Sequence, residues 1–367
     1  MLRKRGADTT QERKPSSSPS PKAKPATSMP RRSSRSIWVL LLWSLIAATT
    51  FIYIIIPAIF YYCPWIQQST VFLNFVNIPP FPKLTSPESY GLKCTHNFYI
   101  DSDPGVKLGV WHVPPHSESE KCNENRDNWF PGNNPIILYL HGNGGSRAGG
   151  HRVALYKVLT RELRAHVVAP DYRGYADSSK TTPTALGIVD DAEAAYRWLR
   201  KSVPSGRIII WGHSLGTGVS VYLVERLSAL KSEGPAGLVL EAPFDAVFNV
   251  APHHPLSIFH RYMPYFNAVF VDSIKSEATN FDSIAKVGNL SQSTPVLVLH
   301  ARDDAMVPFK LGQKLYEALH ASRKKGSAEV KLVAFDEKFG YGHKHICDDP
   351  GLPALVRQFF TKSFGKA

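Results

Sequence analysis

With 367 residues, 43% of them hydrophobic, the chain has enough apolar material to bury one core of roughly 250 residues, with a remainder at its N-terminus. The formal net charge is +13, but residues 1–36 hold ten Lys/Arg against Asp8 and Glu12, so +8 of that charge belongs to the tail. The rest is only mildly basic and contains no groove-reading motif, which excludes a nucleic-acid partner as the expectation.

In chain order, residues 1–36 mix Ser, Pro and basic side chains with too little apolar surface to offset chain entropy, and read as a disordered tail. Residues 37–60, "IWVLLLWSLIAATTFIYIIIPAIF", follow without a charge. About 20 apolar residues cross a bilayer, and the flanking Trp38, Tyr61, Tyr62 and Trp65 suit its two interfaces. The stretch is longer than the apolar region of a cleaved signal peptide, so the expectation is one transmembrane helix. The basic flank keeps the tail in the cytosol. The remainder then faces the lumen, most simply of the endoplasmic reticulum, as a single-pass protein.

Two weaker features agree with that orientation. Asn289-Leu290-Ser291 is a glycosylation sequon, and an oxidising compartment would allow two of Cys94, Cys122 and Cys347 to pair. Residues 61–93 read as a membrane-proximal linker, and 94–367 as the globular domain.

Within that domain strands and helices alternate. Strands are predicted at 96–100, 107–112, 136–140, 167–170, 207–211, 237–240, 296–300 and 331–335; helices near 151–163, 184–201, 215–230, 309–322 and 351–364. After an opening hairpin the strands are short, apolar and without alternation, as in strands covered on both faces. The fold class is therefore α/β: a doubly wound, mostly parallel sheet. Residues 114–134 read as a surface loop.

The chemistry is concentrated at "IIIWGHSLGTGV". In Gly212-His213-Ser214-Leu215-Gly216, small residues at both ends let a strand turn sharply into a helix and display the serine above the sheet. A serine hydroxyl needs a histidine to take its proton and a carboxylate to orient that histidine. Both follow in the required order. Asp303 and Asp304 come after the strand in "VLVLHARDDAMVP", and His343 and His345 lie in "DEKFGYGHKHI". Glu241, after another strand, is an alternative acid. The loop His141-Gly142-Asn143-Gly144-Gly145 supplies an oxyanion donor, the Asn143 amide, to act with that of Leu215. Nucleotide fingerprints are absent and His343-x-His345 lacks further ligands, so neither cofactor nor metal is expected.

Together "HRVALYKVL", "DYRGYADS", "IIIWGHSLGTGV", "LVLHARDDAMVPFKLGQKLYEAL" and "GYGHKHI" resemble the α/β-hydrolase domain-containing protein 12 group, over roughly residues 65–362. These are membrane-anchored serine hydrolases, known as lysophosphatidylserine and monoacylglycerol lipases. The resemblance implies an α/β-hydrolase fold with Ser214 as nucleophile, Asp304 as acid and His343 as base. One departure is Ala176, where the group has Gly. The implied substrates are lysophospholipids and monoacylglycerols at a membrane; a depalmitoylase and a non-catalytic adaptor are the competing readings.

Residues 245–293 are too long for an ordinary connection and read as a cap that faces the bilayer and admits an acyl chain. Its apolar residues, among them Leu256, Phe259, Tyr262 and Phe270, would otherwise complete the core. Arg147 and Arg152, flanking the oxyanion loop, are candidates for pairing with an anionic head group.

Overall fold

The structure is a computed structural model that describes residues 34–77, 80–118, 129–230 and 233–361. Most of the basic tail, and Cys122, lie outside them. The chain divides into two compact units, Met1–Thr50 and Phe51–Ala367. The described part of the first is helix α1, Ser34–Thr50. The second begins with a π-helical turn, Phe51–Ile55, followed by α2, Ile56–Tyr62, and α3, Pro64–Phe72. Among the described residues one helix, Ser36–Tyr62, is long and apolar enough to cross a membrane, with a mean hydropathy of 2.4, which fits a single-pass membrane protein.

Eight strands follow: β1 His96–Asp101, β2 Lys107–Val113, β3 Ile136–Leu140, β4 His166–Pro170, β5 Ile208–His213, β6 Gly237–Glu241, β7 Val296–Ala301 and β8 Val330–Phe335. They form one sheet in the order β1-β2-β4-β3-β5-β6-β7-β8. The β1-β2 hairpin is antiparallel, in register His96 with His112, and β2 meets β4 antiparallel. From β4 to β8 every pairing is parallel. Strands β3 to β7 are buried along their whole length, because both faces are covered. That is why "IILYL" and "IIIW" carry no polar alternation.

The covering helices are α4 Gly150–Glu162, α5 Ala185–Arg200, α6 Leu215–Ala229, α9 Phe309–Ala321 and α10 Leu352–Phe359. Two short ones, α7 Val247–Val250 and α8 Ser283–Val287, belong to the insertion after β6. One core layer joins α5, α6 and α9 through Ile188, Ala192, Val219, Leu223 and Leu315. The opposite layer joins α4 and α10 through Leu155, Tyr156, Leu352 and Val356. Each helix thus lays its apolar stripe on one sheet face.

One expectation changes, and the cysteine one is narrowed. The segment 61–93 is no linker: Phe72 is fully buried in one core layer, and Leu84 and Leu92 are buried in the other. Cys347 is a free, buried thiol, as Cys63 is a free one, whereas Cys94 is disulfide-bonded. The Cys347 sulfur instead rests 3.9 Å from the His151 carbonyl, and burial pushes its pKa up to about 12.

Candidate active site

Parallel strands bring the loops at their C-terminal ends to one edge of the sheet, and there the sequence-predicted residues meet. At the end of β5 the chain reverses into α6 within one residue. Ser214 has φ 52° and ψ −118°, a left-handed conformation disfavoured for any side chain. The flanking glycines permit it. A Cβ at Gly212 would run into the Gly216 carbonyl and the Ser220 hydroxyl, and one at Gly216 into the Leu140 and His141 carbonyls. The Ser214 amide donates to the Glu241 carbonyl at 2.9 Å, tying the turn to β6.

The loop after β8 lowers His343 onto this serine, Nε2 to Oγ 2.9 Å. Its other nitrogen, Nδ1, lies 2.7 Å from Asp304 Oδ2. The remaining Asp304 oxygen accepts the amides of Met306 at 2.9 Å and Val307 at 2.8 Å. Burial by itself would raise the Asp304 pKa, but hydrogen bonds from His300 and His343 and the Val307 amide hold it below the usual carboxylate range. The carboxylate therefore stays ionised beside the imidazole.

The neighbours have other tasks. Asp303 Oδ2 accepts the Gly342 amide at 2.9 Å, bracing the histidine loop. His345 is exposed and faces Asp348 at 3.4 Å. Glu241 accepts the Trp211 indole N–H at 2.7 Å, and burial raises its pKa to about 7; it does not contact His343. His213 Nε2–H donates to the His343 carbonyl at 2.8 Å. Burial lowers the His213 pKa to about 3, so it acts as a neutral donor.

Above Ser214, the Leu215 and Asn143 amides make no hydrogen bond to the described residues. The two amides after Asn143 are already taken: Gly144 donates to Phe72 at 3.1 Å and Gly145 to Val76 at 2.6 Å. Phe72 also accepts the Tyr175 hydroxyl at 2.5 Å, and Val71 accepts the Asn143 side-chain amide at 3.4 Å. The end of α3 therefore holds the loop that carries Asn143. Pro64 at the first helical position of "PWIQQSTVF" was the available sequence signal for that helix.

Arg147 and Arg152 are not head-group ligands in waiting. Arg147 is fully buried, with Nη1 on Asp171 at 2.5 Å and Asp177 at 2.7 Å, and Nη2 on Asn97 at 2.7 Å. A buried guanidinium needs such partners, and these already engage both of its terminal nitrogens. Arg152 is also buried; it donates to the Ser146, Gly142 and Gly144 carbonyls at 2.6, 3.0 and 2.8 Å. It thereby braces the loop that carries Asn143.

A profile described as the alpha/beta hydrolase fold matches residues 135–262. Lysophosphatidylserine lipase ABHD12 of Danio rerio is 42% identical over 312 residues, covering 84% of this chain and 80% of the relative. The Rattus norvegicus protein of the same name is 41% identical over 333 residues, covering 90% and 82%. The chain belongs to the ABHD12 family of α/β-hydrolases. Human Protein ABHD12B is also similar, 36% identical over 301 residues, covering 80% of each. Among solved structures, the Pyrococcus furiosus esterase Pf2001 matches with TM-score 0.56 at 18% identity, covering 76% of this chain and 94% of that one. An α/β-hydrolase from Vibrio vulnificus matches with TM-score 0.58 at 17% identity, covering 81% and 92%. These structures share the fold of this chain.

Proposed function

We propose that the chain is a membrane-anchored serine hydrolase that cleaves acyl esters of lysophospholipids, such as lysophosphatidylserine, and of monoacylglycerols. The observation that carries this reading is the hydrogen-bonded row Ser214, His343 and Asp304 at the strand ends. Support for the substrate class comes from the relatives, whose printed name is lysophosphatidylserine lipase.

In the mechanism, His343 Nε2 takes the Ser214 hydroxyl proton as Oγ attacks the ester carbonyl. The oxyanion that forms accepts the amides of Leu215 and Asn143, each such donor being worth ~3 kcal/mol in the transition state. Asp304 holds the imidazolium. Collapse breaks the ester C–O bond, His343 returns the proton to the departing glycerol oxygen, and Ser214 keeps the acyl group. Water attacks next, giving its proton to His343, and the fatty acid leaves as Ser214 recovers its proton.

Ser214→Ala is expected to reduce turnover of lysophosphatidylserine to a residual rate about 10⁶-fold lower, and to abolish fluorophosphonate labelling, with the circular-dichroism spectrum unchanged. Near-normal turnover would refute the mechanism. The proposed setting is the endoplasmic-reticulum membrane with the hydrolase unit lumenal. Asn289 is exposed and is the proposed glycan acceptor. In sealed microsomes the unit should resist added protease and Asn289→Gln should remove an endoglycosidase-sensitive shift. Digestion without detergent would reverse the orientation.

A further inference from the structure

The insertion after β6 divides into two halves. Phe266 is buried, and Val269 and Phe270 pack against the core. Leu256, Ile258, Phe259 and Tyr262, by contrast, are 60%, 55%, 62% and 82% exposed. Four large apolar side chains within seven residues form an uncovered patch of the kind that marks a contact surface. The Ser257 hydroxyl folds back on the Pro252 and His254 carbonyls at 3.0 and 2.7 Å. The segment is therefore a fixed turn holding these side chains outward.

What covers the patch follows from its neighbours. The His260 ring, buried within the same turn, packs edge-on against Tyr53 with centroids 5.8 Å apart, and Phe270 lies 4.8 Å from Phe60. Tyr53 and Phe60 belong to the last ten residues of the apolar helix Ser36–Tyr62, which has 27 residues. At 1.5 Å per residue that helix is about 40 Å long, against about 30 Å of hydrocarbon in a bilayer. Even if the whole excess protruded at the Tyr62 end, Tyr53 would remain below the hydrocarbon boundary, since it lies about 13 Å from that end. The turn beside Tyr53 is then at membrane depth. Its composition agrees: from Ala246 to Val271 there is no Asp or Glu, and the lone Arg261 stacks over Tyr262 at 5.2 Å, as a side chain reaching toward head groups would.

We propose that Leu256–Tyr262 is a second membrane contact, embedded in the lipid leaflet beside the apolar helix. The occupant is the phospholipid bilayer itself. Such an interfacial contact adds buried apolar area to the anchor and fixes the tilt of the hydrolase unit over the leaflet, whereas a helix alone leaves it free to rotate. The proposal requires only the membrane helix; its activity arm rests also on the lipase reading.

The full-length protein, reconstituted in phosphatidylcholine vesicles, carries a nitroxide at Phe259→Cys or Tyr262→Cys in a Cys63→Ser background, with Lys325→Cys as an exposed control. Relaxation by oxygen and protection from a water-soluble nickel chelate at 259 and 262, but not at 325, are expected. Equal chelate access at all three positions would overturn the proposal. Dipolar broadening that persists on dilution with lipid would assign the patch to a second copy and also overturn it. In the activity arm, Phe259→Asp/Tyr262→Asp should slow hydrolysis of lysophosphatidylserine in vesicles by about tenfold while a water-soluble short-chain nitrophenyl ester is turned over within about twofold of wild type. Unchanged vesicle activity would count against it. If both activities fall together the variant has misfolded, and the nitroxide result decides. Absence of all hydrolysis by the unsubstituted protein would instead overturn the lipase reading and leave the contact standing.

Discussion

At each ambiguous pair, one member touches the reacting row and the other braces the backbone. Asp304 meets His343 Nδ1 while Asp303 holds the Gly342 amide; His343 meets Ser214 while His345 faces solvent. Asp304→Asn is therefore expected to lower kcat by about 10⁴-fold, because the amide favours the wrong imidazole tautomer. Asp303→Asn should cost about tenfold or less through a loosened loop, and His345→Ala nearly nothing. Steady-state kinetics on one soluble ester compares the set, and a larger loss at Asp303 would move the acid by one residue. The order serine, acid, histidine was legible in the sequence because a sharp turn and strand-end loops leave local signatures. The fate of the arginines was not. Arg147 is neutralised by Asp171 and Asp177, which reach it only because β4 and its following loop lie beside it in space. No spacing rule connects them.

Strand limits could be read to within a residue or two, since continuous burial writes an unbroken apolar run; β3 begins and ends where Ile136 and Leu140 predict. Short segments were harder. At nine residues, α3 is too brief for periodicity to outweigh the apolar stretch before it, and its worth lies in what its last carbonyls accept. Phe72 fills a fully buried site under the loop. Phe72→Ala should leave a cavity, cost ~3 kcal/mol in stability, and displace the Asn143 amide. The expected kinetic signature is a fall in kcat of about tenfold to a hundredfold with KM nearly unchanged, since the lost interaction belongs to the transition state. Equal changes in kcat and KM would assign the effect to substrate binding. The insertion after β6 divides the same way. Its apolar residues looked uniform in sequence, but Phe266 enters the core while Phe259 does not.

At the scale of the molecule, burial of Glu241 ties stability to pH. Its pKa rises from 4.5 to about 7 on folding because the carboxyl is desolvated and only Trp211 donates to it. The folded state therefore holds a proton that the unfolded chain releases more readily. That contribution is complete below about pH 4.5, falls as pH rises toward 7, and is fully lost above, where the ionised form costs on the order of 3 kcal/mol. Glu241→Gln should flatten this decline and raise Tm at pH 8 relative to wild type, measured by thermal unfolding in detergent. A parallel pH profile in the variant would place the titration elsewhere.

The carbonyls of Val71, Phe72 and Val76, which hold Asn143, Gly144 and Gly145, also bear on what proteolytic shedding would release. Many anchored ectoenzymes can be cut from their stalks and remain active in solution. Here a cut that removed α3 would take the brace of the oxyanion loop with it, so the liberated hydrolase would keep its serine, histidine and aspartate and lose most of its rate. Release of a fully active unit would thus require a cut ahead of Pro64, whereas a cut within α3 is expected to yield a slow one.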